Sequence, residues 1–127
     1  MKIIFLFLLS ISISLVHAQD CKKLQLGTYR ISGDDTNPES ILIRTSAYQF
    51  EEVKSLGLKL QFNIRWTSDC TYELSNPKVL KGELPSIKDD QVVYVKIKKV
   101  AATYYTAEIS SNFNDLVLER NIDILED

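Results

Sequence analysis

The densest polar grouping in the chain is Arg44-Thr45-Ser46-Ala47-Tyr48-Gln49-Phe50-Glu51, followed by Arg65-Trp66 on the next apolar-patterned segment. Two chemistries fit these residues. On the wet face of a sheet, Glu51 and Arg65 form a cross-strand ion pair worth about 0.2–1 kcal/mol. Turned toward a cavity, Arg44 or Arg65 grips an anionic head group with a planar, forked set of donors. In that second arrangement a tight hairpin sets Gln49 beside Arg44, and Leu60, Phe62, Ile64 and Tyr72 supply the apolar wall. Trp66 is either a core residue against the two cysteines or a surface on which a ligand stacks.

Catalytic chemistry is sparse. The single histidine, His17, lies in the first eighteen residues, so nothing after them offers a Ser-His-Asp or Cys-His arrangement or a histidine zinc site. Glycine-rich phosphate loops, a Gly-x-Ser-x-Gly elbow and calcium-loop spacing are all missing. Glu51 and Glu52 are adjacent, and adjacent strand residues face opposite ways, so they make no acid/base pair. Asp34-Asp35 and Asp89-Asp90 read as solvated turn carboxylates. The expectation is a protein with no catalytic residues, no metal and no cofactor. An enzyme here would need a close, buried carboxylate pair in a cleft.

Residues 1–18 carry a Lys2 start, an apolar run from Ile3 to Val16 and the small-residue ending Val16-His17-Ala18. That pattern predicts a secretory signal cleaved after Ala18, leaving one domain over residues 19–127. A retained anchor is the alternative, but the run falls short of the ~20 apolar residues a spanning helix needs, and no second apolar segment follows. Lipidation at Cys21 is disfavoured by Gln19 and Asp20, where small residues belong. Export puts Cys21 and Cys70 in an oxidising compartment, where an even count reads as one disulfide closing a long loop. The chain-entropy account assigns such a loop roughly 4 kcal/mol. The net charge of −2 shifts to about −3 when Lys2 is lost. A weakly acidic surface offers no general attraction to nucleic acid, and Lys96, Lys98 and Lys99 read as one solvated strand face.

The elements that position these residues are strands. Leu58, Leu60, Phe62, Ile64 and Trp66 alternate with Lys59, Gln61, Asn63, Arg65 and Thr67, which predicts a long strand with one buried face. Shorter runs repeat the pattern, and the spacing predicts strands at 24–32, 40–45, 47–54, 57–66, 70–75, 91–100, 103–110 and 114–119. Turn residues such as Ser32-Gly33-Asp34-Asp35-Thr36-Asn37-Pro38, Thr67-Ser68-Asp69 and Asn76-Pro77 separate them. The longest connection, 76–90, contains Val79, Leu80, Leu84 and Ile87, so it packs over one end as a plug or moves as a lid. Residues 122–127 read as a docked tail. About eight antiparallel strands with one apolar face close into a barrel or fold into a sandwich. Short sequential turns favour the all-β, up-and-down barrel, and closure removes the edges that aggregate.

Gly27-Thr28-Tyr29 at the first strand resembles the opening motif of the lipocalins, in which an arginine after the last strand packs over the motif's aromatic ring. Arg120, after Leu116-Val117-Leu118, is the arginine this resemblance implies. The mature chain is also similar to small secreted, lipocalin-like (calycin-type) proteins of uncharacterised role from Bacteroidetes-type bacteria. The shared order is Cys21, Gly27 to Tyr29, Ile43-Arg44-Thr45, Gln49 with Glu51, and Trp66 through Leu74. The resemblance implies a non-enzymatic barrel in the periplasm, at the cell surface or outside the cell, holding a small apolar or amphiphilic ligand. The alternative is an envelope-structural or protein-interaction module with a filled core.

Overall fold

A computed structural model describes residues 20–126; residues 1–18, where the signal peptide is expected, lie outside them. A short 3-10 turn, Lys23–Gln25, leads into eight strands: β1 Gly27–Ile31, β2 Ser40–Arg44, β3 Tyr48–Val53, β4 Leu58–Ser68, β5 Thr71–Lys81, β6 Val93–Val100, β7 Tyr104–Ser111 and β8 Leu118–Glu126. Each pairs antiparallel with its sequence neighbour, and β1 pairs with β8, so the sheet closes into a barrel.

Two-residue alternation explains which side chains enter the lumen. On β4, Leu58, Leu60, Phe62 and Ile64 are buried while Asn63 and Arg65 are exposed. Tyr72 and Leu74 on β5, Val95 and Ile97 on β6, and Tyr105 and Ala107 on β7 point to the same axis and form one core with them. An eight-stranded barrel has an interior that side chains of this size nearly fill.

Up-and-down order sorts the connections between two ends. The tight turns 45–47, 69–70 and 101–103 lie with the Lys23–Gln25 turn at one end, and the longer connections 32–39, 54–57, 82–92 and 112–117 at the other. The disulfide Cys21–Cys70 crosses the first end, with Cα atoms 5.2 Å apart and a sequence separation of 49. Two glycines fix the opposite end. Gly57 and Gly82 both have positive φ, and a Cβ on Gly82 would come within 2.6 Å of the Gly57 carbonyl oxygen. The connections 54–57 and 82–92 therefore touch backbone to backbone, which only glycine permits.

Three sequence expectations need correction. The chain does not enter β1 at residue 24: Leu24 sits in the 3-10 turn, fully buried as a cap on the closed end. Asn76-Pro77 does not end β5. The pairing slips between Gln61 and Asn63, so that both residues oppose Phe62, and Asn76 takes φ 49°. A bulge needs no ladder N–H from its extra residue, so the proline is absorbed while the strand continues. Finally, the last strand spans Leu118–Glu126, not 114–119, and residues 122–126 are not a tail. Ile122 is buried against the core and Asp123 accepts a 3.0 Å ion pair from Arg30 of β1, the contacts that barrel closure requires.

Candidate functional site

The closed end is built around Arg44. It leaves the last position of β2 pointing inward, directly across from Gln49 of β3, and is 3 % exposed. Its Nε donates to Gln49 Oε1 at 2.9 Å and its Nη1 to the Leu24 carbonyl oxygen at 2.9 Å. Its Nη2 donates to the Tyr72 hydroxyl at 2.7 Å and also to the Tyr105 hydroxyl. The guanidinium plane lies 4.3 Å from the centre of the Tyr29 ring and 4.8 Å from that of Tyr72, within reach of cation–π attraction. Among the described residues no carboxylate is a partner of Arg44. Neutral acceptors and ring faces hold the charge, and burial pushes the Tyr72 phenol well above its ordinary pKa, so that its oxygen accepts as a neutral hydroxyl.

This arrangement corrects the arginine expected from the lipocalin resemblance. The aromatic side chain at Tyr29 is covered by Arg44, reaching up from β2, whereas Arg120 lies near Asp34 with 4.0 Å between charged atoms. Tyr29 also donates to the Leu26 carbonyl at 2.5 Å and meets Tyr105 edge to face at 5.8 Å.

The open end holds an apolar cavity of about 380 Å³ between the upper part of β5, β6 and their connection. Leu60, Phe62, Pro77, Leu84, Ile87 and Phe113 form its principal apolar surfaces. Leu84 and Ile87 pack against the core, so connection 82–92 forms a wall of this cavity. Its volume falls within the range of about 300–1,000 Å³ typical of small-molecule pockets.

A carboxyl group lies on the luminal face across from Leu60, one of the cavity's wall residues. Glu51 stands opposite Leu60 in the β3–β4 register, between the buried Gln49 and Val53 positions of its own strand. Ser40, also buried, donates to Glu51 Oε2 at 3.0 Å. Burial raises the Glu51 pKa, and the Ser40 hydrogen bond offsets part of that rise.

The structure thus divides the residues singled out in sequence. Leu60 and Phe62 line the cavity. Arg44, Gln49, Ile64 and Tyr72 belong to the packed interior, with Arg44, Gln49 and Tyr72 joined by hydrogen bonds. Trp66 packs against Tyr72 in a tilted contact with ring centres 4.6 Å apart, half-buried at the rim of that packed end. Arg65 is on the outer wall, paired with Glu73 at 3.0 Å, and the expected Glu51–Arg65 bridge does not form. The reason is alternation: β4 points Arg65 out while β3 points Glu51 in. Pro77 and Phe113 were not singled out; only the bulge turns Pro77 inward, and Phe113 lies in a connection with no periodic signal.

Among the described residues no three His, Cys, Asp or Glu side chains converge as metal ligands, and no helix is long and apolar enough to cross a membrane. Compared with known proteins, the chain matches no family model, no curated protein and no solved structure.

Proposed function

We propose that the chain is an exported, non-enzymatic binding protein, a lipocalin-like barrel that holds a small apolar or amphiphilic molecule at its open end. The observation that carries this reading is the cavity bounded by Leu60, Phe62, Pro77, Leu84, Ile87 and Phe113. A concave, mostly apolar surface with a few polar groups, here Ser86 and Gln91, is the usual form of a small-molecule site. The Cys21–Cys70 bridge supports delivery to an oxidising compartment, the periplasm, the cell surface or the medium. The expected leader at residues 1–18 supplies the route.

The test uses the neutral fluorescent probe N-phenyl-1-naphthylamine. Saturable enhancement that Phe62→Asp abolishes, together with a bound species in native mass spectra of protein from its own host, supports a carrier. No enhancement and no bound species refutes it. A second reading, an envelope or protein-interaction module, draws on the filled lower lumen and on Phe113, Leu116 and Val117, each at least half exposed. Its signature is one stable partner recovered by crosslinking in the native host.

A further inference from the structure

Leu60, a wall residue of the apolar cavity, stands opposite a carboxyl group that has no cation of its own. Among the described residues Glu51 makes no ion pair, and Ser40 Oγ is its one hydrogen-bond donor, although a carboxylate accepts about four such bonds. The arginines nearest the lumen are engaged elsewhere. Arg44 is held at the closed end by Gln49, the Leu24 carbonyl, Tyr72 and Tyr105, and Arg120 lies by Asp34. A carboxylate removed from water without a counter-ion is costly, and that cost disappears when a cation arrives beside it.

The connections at the open end carry more acidic than basic residues, while Lys59, Lys81 and Arg120 stand at the adjoining strand ends. Connection 32–39 contributes Asp34, Asp35 and Glu39; connection 82–92 contributes Glu83, Asp89 and Asp90 against Lys88. Connection 112–117 adds Asp115, and 54–57 adds Lys54. A cationic guest that reaches past Leu60 finds a counter-ion in Glu51, whereas an anionic one meets a like charge.

We infer that the guest of this cavity is an apolar molecule bearing a positively charged N–H donor, a hydrophobic amine, with Glu51 as the counter-ion of its head group. Leu60 and Phe62 take the chain, and Glu51, opposite Leu60 on the neighbouring strand, takes the ammonium. The inference rests on the binding reading above and narrows it; fatty acids and other anionic amphiphiles are excluded as preferred guests.

Three probes of equal chain length separate the possibilities: decylamine, decanol and decanoate, titrated calorimetrically at neutral pH and low salt, below aggregation. Decylamine is expected to bind the wild type at least about tenfold more tightly than decanoate, and E51Q to bring the two within about threefold of each other. Decanoate binding as tightly as decylamine, or a full amine preference retained in E51Q, overturns the inference. In that event decanol binding still leaves the carrier reading standing. Silence from all three probes overturns both. If E51Q fails to fold, the wild-type comparison of amine with carboxylate decides alone.

Discussion

Arg44 offers the sharpest test of how this barrel is held together, because two substitutions separate its charge from its geometry. Arg44→Lys keeps a cation in the same buried place, so the desolvation cost remains. What it loses is the planar fork: one ammonium cannot reach Gln49, the Leu24 carbonyl, Tyr72 and Tyr105 together, nor lie flat over the Tyr29 ring. At least two acceptors are then left dry. At about 1–3 kcal/mol for each unsatisfied buried group, and with the tyrosine hydroxyls, 3.4 Å apart, partly satisfying each other, the loss comes to roughly 2–4 kcal/mol. For a chain of this size that lowers the melting temperature by roughly 8–16 °C. Arg44→Met leaves all four acceptors without a donor but relieves the buried charge, so it loses less than Arg44→Lys where that relief exceeds the hydrogen bonds a lysine keeps. Urea unfolding of the three proteins, with equal denaturant slopes as the check on two-state behaviour, measures the difference. If Arg44→Lys lies within 0.5 kcal/mol of wild type, charge near aromatic faces suffices and the forked hydrogen bonding is not what matters. If Arg44→Met is more stable than wild type, desolvation outweighs all four contacts.

Removing both cysteines (Cys21→Ser with Cys70→Ser) is expected to lower stability by about 4 kcal/mol in urea unfolding, given a closed loop spanning 49 residues in sequence; a loss under about 1 kcal/mol contradicts the loop-entropy account. Gly82→Ala should destabilise more than Gly57→Ala, by roughly 1–3 kcal/mol, because both have positive φ but only at Gly82 would the added carbon meet backbone, at 2.6 Å. Equal melting temperatures for the two variants would show that the connections simply move apart. The acid and alkaline limbs of a stability profile report different carboxyls. Asp34, held at about 2 by the Thr36 and Asn37 amides, contributes stability that is present above 3.8 and is lost as pH falls toward 2. Glu51, raised by burial, contributes fully below 4.5 and loses that contribution as pH rises through its folded pKa, so E51Q should flatten the profile there and D34A should flatten it below 3.8. Unchanged slopes in both variants would remove these groups from the account.

The barrel was legible because alternation is a strong signal wherever one face of a strand is buried. Leu58 through Trp66 gave β4 almost whole, and the short turns after β2, β4 and β6 ordered the sheet. What alternation cannot carry is an element whose inward positions are not apolar. β8 places Arg120 between Leu118 and Ile122 on the luminal side, which breaks the apolar alternation and makes the sequence point to a strand at 114–119. A bulge has the same effect on β5: one extra residue at Asn76-Pro77 resets the parity, and a tertiary slip of this kind leaves no mark in a local window. The polar site was readable in composition but not in direction. The hairpin predicted the meeting of Arg44 and Gln49, yet four residues on four other elements complete that cluster, and no spacing rule connects Leu24, Tyr29, Tyr72 and Tyr105.

The two ends of the barrel answer different physical demands, and that difference explains where a cavity is tolerable. An eight-stranded barrel loses dispersion contacts wherever its lumen is under-filled. Here the closed end is filled by Tyr29, Tyr105 and Leu24, tied by a forked guanidinium and crossed by a disulfide. Those constraints order the chain on the Arg44 side independently of what fills the opposite end. At the open end the upper half of β5 pairs with β4 alone, since its ladder to β6 covers only Thr71 through Leu74. Connection 82–92 then fills the opening with Leu84 and Ile87 in place of a continuous sheet. Side chains on a connection adjust at lower cost than side chains on a paired strand, because fewer backbone hydrogen bonds break. A guest of the proposed kind, entering beside Leu60, would therefore displace loop contacts and leave the hydrogen-bonded cluster around Arg44 intact.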